Sequence, residues 1–198
     1  MPAFFPSSTR FTRAAQSVDH LRQIIEPSIR LNDQGAIVRS VQSGLEEALA
    51  KRLLALDDRF FEIKAGSYAR RLLLRGTSLL YTVAVMTWAA GQATPIHDHS
   101  GIWCVEGILA GEMKVTRFKL IQQRGELFFF SAQPSIHAAV GSSGSLIPPD
   151  EYHVLENGNN STAVTIHVYG GEMDHCNIYS ARSDGWYERS YHQLGYDS

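Results

Sequence analysis

Gly91 to Gly111 reads GQATPIHDHSGIWCVEGILAG. His97 and His99 stand two residues apart within it. On a β-strand, side chains two apart share a face and sit about 7 Å apart along the backbone. Two imidazoles converging from one strand form half of a metal site. The glycines on either side allow the chain to turn tightly before and after. The stretch therefore predicts a β-barrel that holds one metal ion near His97 and His99.

Outward from this stretch the chain continues in the same character. Residues 68–74, 79–88, 94–99, 102–109, 112–120, 126–131, 136–140, 152–156, 162–169 and 176–180 read as short strands. Gly, Ser, Asn and Pro separate them at nearly regular intervals. That pattern predicts an antiparallel sandwich or barrel. Before it, Val18, Leu21, Ile24 and Ile25 have helical spacing, and Pro27 is expected to end that helix. Residues 40–56 predict a second helix, with Leu45, Ala48, Leu49, Leu53 and Leu56 on one face. Residues 1–15 read as irregular. The expected organisation is one all-β-dominated domain over 1–198, helical to about residue 60 and a barrel from about 68 to 182, with the helices packed as a cap.

Composition narrows the function classes. The chain has 198 residues, 44% of them hydrophobic and 19% charged, which suits a globular domain with a full core. A formal net charge of -2 gives no footprint for nucleic acid or an anionic membrane. No apolar run approaches the roughly 20 residues that span a bilayer. The N-terminus lacks an apolar signal core, so a cytoplasmic protein is expected. Cys104 and Cys176 lie far apart, and a disulfide is not expected in a reducing compartment. A third metal ligand must come from another strand. His20 and His192 lie near the ends and His175 reads as part of a turn, which leaves His137, His153 and His167. Glu106 reads as a solvent-facing strand glutamate in preference to a further metal ligand.

A resemblance enters at these residues. Gly91, five residues, His97, one residue, His99 and a closing Gly111 resemble the first motif of the cupin superfamily. Pro148, Asp150, His153 and Asn157 resemble its second motif, with Asp150 in a glycine position. The resemblance implies a jelly-roll barrel and makes His97, His99 and His153 the metal ligands. Where the first motif carries a glutamate, this chain has Cys104. That departure is similar to the cysteine dioxygenases among the thiol dioxygenases. Tyr68 and Arg70 resemble their Tyr-x-Arg, in which the arginine holds the substrate carboxylate. Thr165, His167 and Tyr169 resemble their Ser-x-His-x-Tyr. Cys176, nine residues after His167, falls where many members carry a cysteine. Cys104 and Tyr169 match the pair that forms a thioether in the mammalian enzymes. The resemblance covers about Tyr68 to Cys176.

The resemblance implies Fe(II), a small-molecule thiol and O2 as partners, and cysteine sulfinic acid as product. It requires no flavin, nicotinamide or keto acid. It makes Tyr169 the group that hydrogen-bonds the bound oxygen or substrate, oriented by His167 and Thr165 in line. Without a carboxylate at position 104, the expected ligand set is neutral. Two departures stand out: Gly170 and Gly171 where mammalian members have Ser-Pro, and Trp103 where they have histidine. 3-Mercaptopropionate and mercaptosuccinate stay open as substrates, as does a cupin that binds metal without this reaction. The oligomeric state is not legible.

Overall fold

The structure, a computed structural model, describes residues 8–77 and 80–198. Two α-helices and a short 3-10 helix (Asp58–Phe61) precede twelve strands among the described residues. Helix α1 spans Ser8–Ser28 and α2 spans Gln34–Ala50. Residues 8–15, expected to be irregular, are the first turns of α1, and residues 1–7 lie outside the described part. Pro27 sits in the last turn of α1, one residue before its end. Helix α2 starts and stops six residues earlier than expected. The Asp33 carboxylate caps its N-terminus by accepting from the Ala36 N–H at 2.6 Å. At the other end, Arg52 adopts a φ of 53°, which stops the helix. Leu53 is consequently exposed, while Leu45, Ala48 and Leu49 are buried as expected.

One sheet has the strand order β1 (Ala69–Arg75), β2 (Thr82–Trp88), β10 (Ala163–Tyr169), β4 (Cys104–Ala110), β8 (Ser143–Leu146). The other runs β6 (Leu127–Ala132), β12 (Tyr187–Gln193), β11 (His175–Ala181), β3 (Ile96–His97), β9 (His153–Glu156), β5 (Glu112–Arg124), β7 (Ile136–Ala139). The first half of β5 pairs with β9 and β7, and its second half turns at Gly125 into a hairpin with β6. The paired strands of both sheets are antiparallel, the arrangement of a jelly roll. Strands β8 and β12 were not legible as strands, and the expected strand over 79–88 begins outside the described residues at Leu79.

Strands β2 and β10 are buried at every position. Their alternate residues serve two different cores. Val83, Ile166 and Val168 pack against Leu21, Ile25, Leu45 and Leu49 of the helices. Ala84, Met86, Trp88, Ala163 and Tyr169 fill the barrel with Cys104, Ile108, Met113 and Leu155. The helices thus cover one face of the first sheet, and the second face lines the barrel. Gly107 of β4 allows α2 its close approach: a Cβ there would stand 2.5 Å from Leu49 Cδ1. Among the described residues no helix is long and apolar enough to cross a membrane.

Candidate active site

His97 and His153 are directly opposed in the β3–β9 pair. His99 falls beyond the two-residue β3, just before a left-handed turn at Ser100 and Gly101. It still converges with the other two. The ring centroids of His97, His99 and His153 lie 4.3–5.4 Å apart, and one ligand nitrogen from each falls within 4.8 Å of the others. Asp98, between the two histidines, faces the opposite way and anchors this loop to β11. Its carboxylate accepts from the Asn177 N–H at 2.9 Å and the Tyr179 hydroxyl at 2.7 Å. The Glu151 carboxylate accepts from the His99 N–H at 2.8 Å.

The tautomers follow from these surroundings. His153 Nδ1 faces the Glu151 carbonyl at 3.1 Å and His97 Nδ1 faces the Pro95 carbonyl at 3.2 Å. A carbonyl only accepts, so each Nδ1 carries the proton and each Nε2 keeps its lone pair. Second-sphere carbonyls of this kind orient metal-binding imidazoles. Four buried polar atoms in this part of the barrel lack a well-formed hydrogen bond: His99 Nδ1, Glu106 Oε1, His153 Nε2 and His167 Nδ1. The His97 and His153 lone pairs, converging with a His99 nitrogen, suit a divalent cation, and the residues fit a metal.

Burial, reinforced by the charge of His153, pushes the His97 imidazole down to about 3. The same causes hold His99 well below the ordinary imidazole range. With a depressed pKa in the fold, the unfolded chain takes up the proton first. The resulting stability is complete above the ordinary value near 6.5 and is lost as pH falls from there toward 3. We expect the melting temperature of metal-free protein to drop between about pH 7 and about pH 4.5. His97→Asn and His99→Asn should flatten the drop; an equal slope in those variants would contradict the account.

Glu106 is the main correction to the sequence reading. It is not solvent-facing: only 12% of its side chain is exposed, and it points into the barrel on the same face of β4 as Cys104. Its Oε1 lies 3.2 Å from both His153 Nε2 and His167 Nδ1. Burial acts to raise its carboxyl, but the two histidines outweigh that and hold it well below the usual range. The site is therefore not lined by neutral groups alone. Strict alternation from Cys104 is the signal that would have found it.

Thr165, His167 and Tyr169 all face the barrel, yet they do not form the expected continuous line. Trp88 Nε1 donates to Thr165 Oγ1 at 3.0 Å, which leaves the hydroxyl proton for His167 Nε2 at 2.7 Å. Tyr169 instead stacks parallel to His167 with centroids 6.0 Å apart and meets His99 edge-on at 5.7 Å. Burial raises the Tyr169 phenol well above its usual range, so it stays protonated. Cys104, directly opposite Tyr169 in the β4–β10 pair, is raised by burial too.

A cavity of about 650 Å³ opens onto His97, His99 and Tyr169, with Tyr68, Arg70 and Cys176 on its wall. Burial pushes the Cys176 thiol up to about 12. Arg70 is almost wholly buried. Its Nη1 donates to the Gly195 carbonyl at 3.1 Å and its Nη2 to the Met173 carbonyl at 2.8 Å, while Nε has no partner. The Tyr196 ring lies 4.3 Å from the guanidinium. Carbonyls and a π face thus meet this cation where the sequence reading called for an anion. Arg71, on the other face, is also buried and donates to the Glu62 and Ser198 carbonyls. The C-terminal residues Leu194–Asp197 wall the same cavity, as does His192 of β12. No motif marked them. His175, read as part of a turn, begins β11, and His137 lies out at the surface.

The departures at 103 and 170 belong together. A Cβ on Gly170 would stand 2.1 Å from Trp103 Nε1, and the Gly170 N–H donates to the Trp103 carbonyl at 3.0 Å. The glycine makes room for the indole. Gly170→Ala should cost ~1–3 kcal/mol and lower the melting temperature by several degrees. Adding Trp103→Phe to Gly170→Ala should recover part of that loss in a thermal melt.

A family model described as cysteine dioxygenase type I matches residues 10–182, a longer span than the motifs alone cover. Cysteine dioxygenase type 1 from Rattus norvegicus is 24% identical over 121 residues, 59% of this chain and 57% of that protein. The Homo sapiens protein gives the same identity and coverage. The chain thus spans little more than half the length of the curated relatives it matches. A Klebsiella pneumoniae structure with a double-stranded β-helix domain aligns at 18% identity and a TM-score of 0.44, covering 59% of this chain and 88% of that one. With the family model spanning most of its length, the chain belongs to the cysteine dioxygenase type I family.

Proposed function

We propose that the protein is a non-haem Fe(II) thiol dioxygenase that adds both atoms of O2 to the sulfur of L-cysteine, giving cysteine sulfinic acid. The reading is carried by one observation: three histidine nitrogens converge beside a cavity whose wall holds Arg70 and Tyr68. In this reading His97, His99 and His153 hold the metal, which when bound supplies a Lewis acid that favours thiolate over thiol and a site for O2. Arg70 orients the substrate. Its two bonds to backbone carbonyls set the guanidinium plane, and its remaining N–H groups are free to grip a carboxylate. The Tyr68 phenol, packed on Trp88 with ring centroids 4.4 Å apart, shares that role. Tyr169 keeps its proton and donates it in a hydrogen bond toward the reacting sulfur. His167 and Thr165 position the barrel side of the site. The register pairing of Cys104 with Tyr169 supports an oxidative thioether between them, with O2 as oxidant and loss of two hydrogens.

The test is oxygen uptake by anaerobically Fe(II)-loaded protein given cysteine, 3-mercaptopropionate and mercaptosuccinate in parallel, with the sulfinate identified by mass. One O2 consumed per cysteine sulfinate is expected. Arg70→Gln should raise KM for cysteine about 10- to 100-fold, the size of a charge-assisted hydrogen bond. Uptake only with a thiol lacking the amine would keep the reaction and move the substrate. No uptake with any thiol, despite bound iron, would overturn the reading.

A further inference from the structure

Residues 194–197 complete the cavity wall that carries Arg70, and they lie outside the span of the family match. They run back along the free edge of β1, the outermost strand of its sheet. The Arg70 backbone N–H and carbonyl face that edge, and Asp197 meets both. Its Oδ2 accepts from the Arg70 N–H at 2.9 Å, and its own N–H donates to the Arg70 carbonyl at 2.7 Å. A side-chain oxygen thus stands where a neighbouring strand would place a carbonyl. The other oxygen, Oδ1, accepts from Lys64 Nζ at 2.6 Å. At the near end the Leu194 N–H donates to the Asp174 carbonyl at 2.7 Å.

Between these two anchors lie the groups that touch the guanidinium, the Gly195 carbonyl and the Tyr196 ring. The Tyr196 hydroxyl donates to Glu172 Oε1 at 3.2 Å, which fixes the ring. A guanidinium has five N–H donors, and the Gly195 and Met173 carbonyls take two of them. Both acids beside the segment are committed elsewhere: Glu172 to Arg75 at 2.8 and 2.9 Å, and Asp197 to Lys64 and the Arg70 backbone. The segment therefore holds the guanidinium with neutral groups. Its charge is left for an anion in the cavity, and a buried cation gains most from such a partner.

We propose that residues 194–197 clamp the Arg70 guanidinium from the free edge of β1, with Asp197 as the positioning residue. The clamp sets how strongly the cavity selects thiols that bear a carboxylate. The inference rests on the substrate reading above and deepens it.

Co(II)-loaded wild type, Asp197→Ala, Asp197→Asn and Arg70→Gln are titrated anaerobically with cysteine and with cysteamine, which has the same thiol and amine and no carboxylate. Thiolate binding is read from the thiolate-to-cobalt charge-transfer absorption. Asp197→Ala should weaken cysteine about 10-fold and leave cysteamine within about twofold of wild type. Asp197→Asn keeps an oxygen for the Arg70 N–H and should stay within about threefold for both thiols. Should Asp197→Ala not fold, Tyr196→Leu, which removes the ring over the guanidinium, carries the same expectation. Equal weakening of both thiols in Asp197→Ala overturns the clamp. So does unchanged cysteine affinity there when Arg70→Gln weakens cysteine, and that outcome leaves the substrate reading standing. Unchanged cysteine affinity in Arg70→Gln, or no thiolate absorption with either thiol, overturns both.

Discussion

His153→Ala should leave a folded protein that no longer retains metal. The expected loss of affinity exceeds about 100-fold, since removing even a group that only supports a ligand costs 10- to 100-fold. His153 is the hub of the site. It is opposed to His97 across β3–β9, meets His99 at 5.1 Å between centroids and faces Glu106 at 3.2 Å. Its side chain is fully buried, so the truncation also leaves a small cavity and removes one of the two histidines that face the Glu106 carboxylate. Metal per chain after dialysis is the first readout, and circular dichroism confirms the fold. His137, exposed on β7 and outside the cluster, is the control: His137→Ala should retain full metal content. Equal metal in His153→Ala and wild type would remove His153 from the centre.

Trp88→Ala should be among the most destabilising single substitutions outside the ligands, at ~3–5 kcal/mol. The indole is fully buried inside the barrel, packs on Tyr68 and donates its N–H to Thr165. Trp88→Phe separates these contributions. It retains most of the packing and loses the donor, for which ~1 kcal/mol is expected. In that variant the Thr165 hydroxyl no longer has its proton directed toward His167, so the positioning of His167 should loosen while Tyr68 stays supported. Urea unfolding of the three proteins measures the split. A Trp88→Phe cost as large as that of Trp88→Ala would show that the hydrogen bond, and not the packing, holds this part of the barrel.

Strands, helices and the histidines that converge in the fold were legible in the chain because each is encoded over a short span. Alternation with period two marks β4, β5 and β10, and the His-x-His spacing states its own geometry once a strand is assumed. Motif spacing then tied His153 to His97 and His99 across more than fifty residues. Boundaries were less legible: a cap such as Asp33 outweighs the propensity of the residues after it, which moved α2 by six positions.

What only the tertiary structure decided is which faces are covered. Alternation says that Cys104 and Glu106 share a side; it does not say whether that side meets water. Helix α2 lies against the other face of β4 through Gly107, so the polar side of the strand has to turn inward, and an apparently ordinary strand glutamate becomes a buried anion beside two histidines. The same holds for the cavity wall. Strand β12 and residues 194–197 carry no motif, yet they close around Arg70 because β12 pairs with β11 and brings the chain end back across β1. Local pattern fixes a side chain's direction relative to its own strand. Burial depends on what else packs there, and that is set by contacts between residues far apart in the chain.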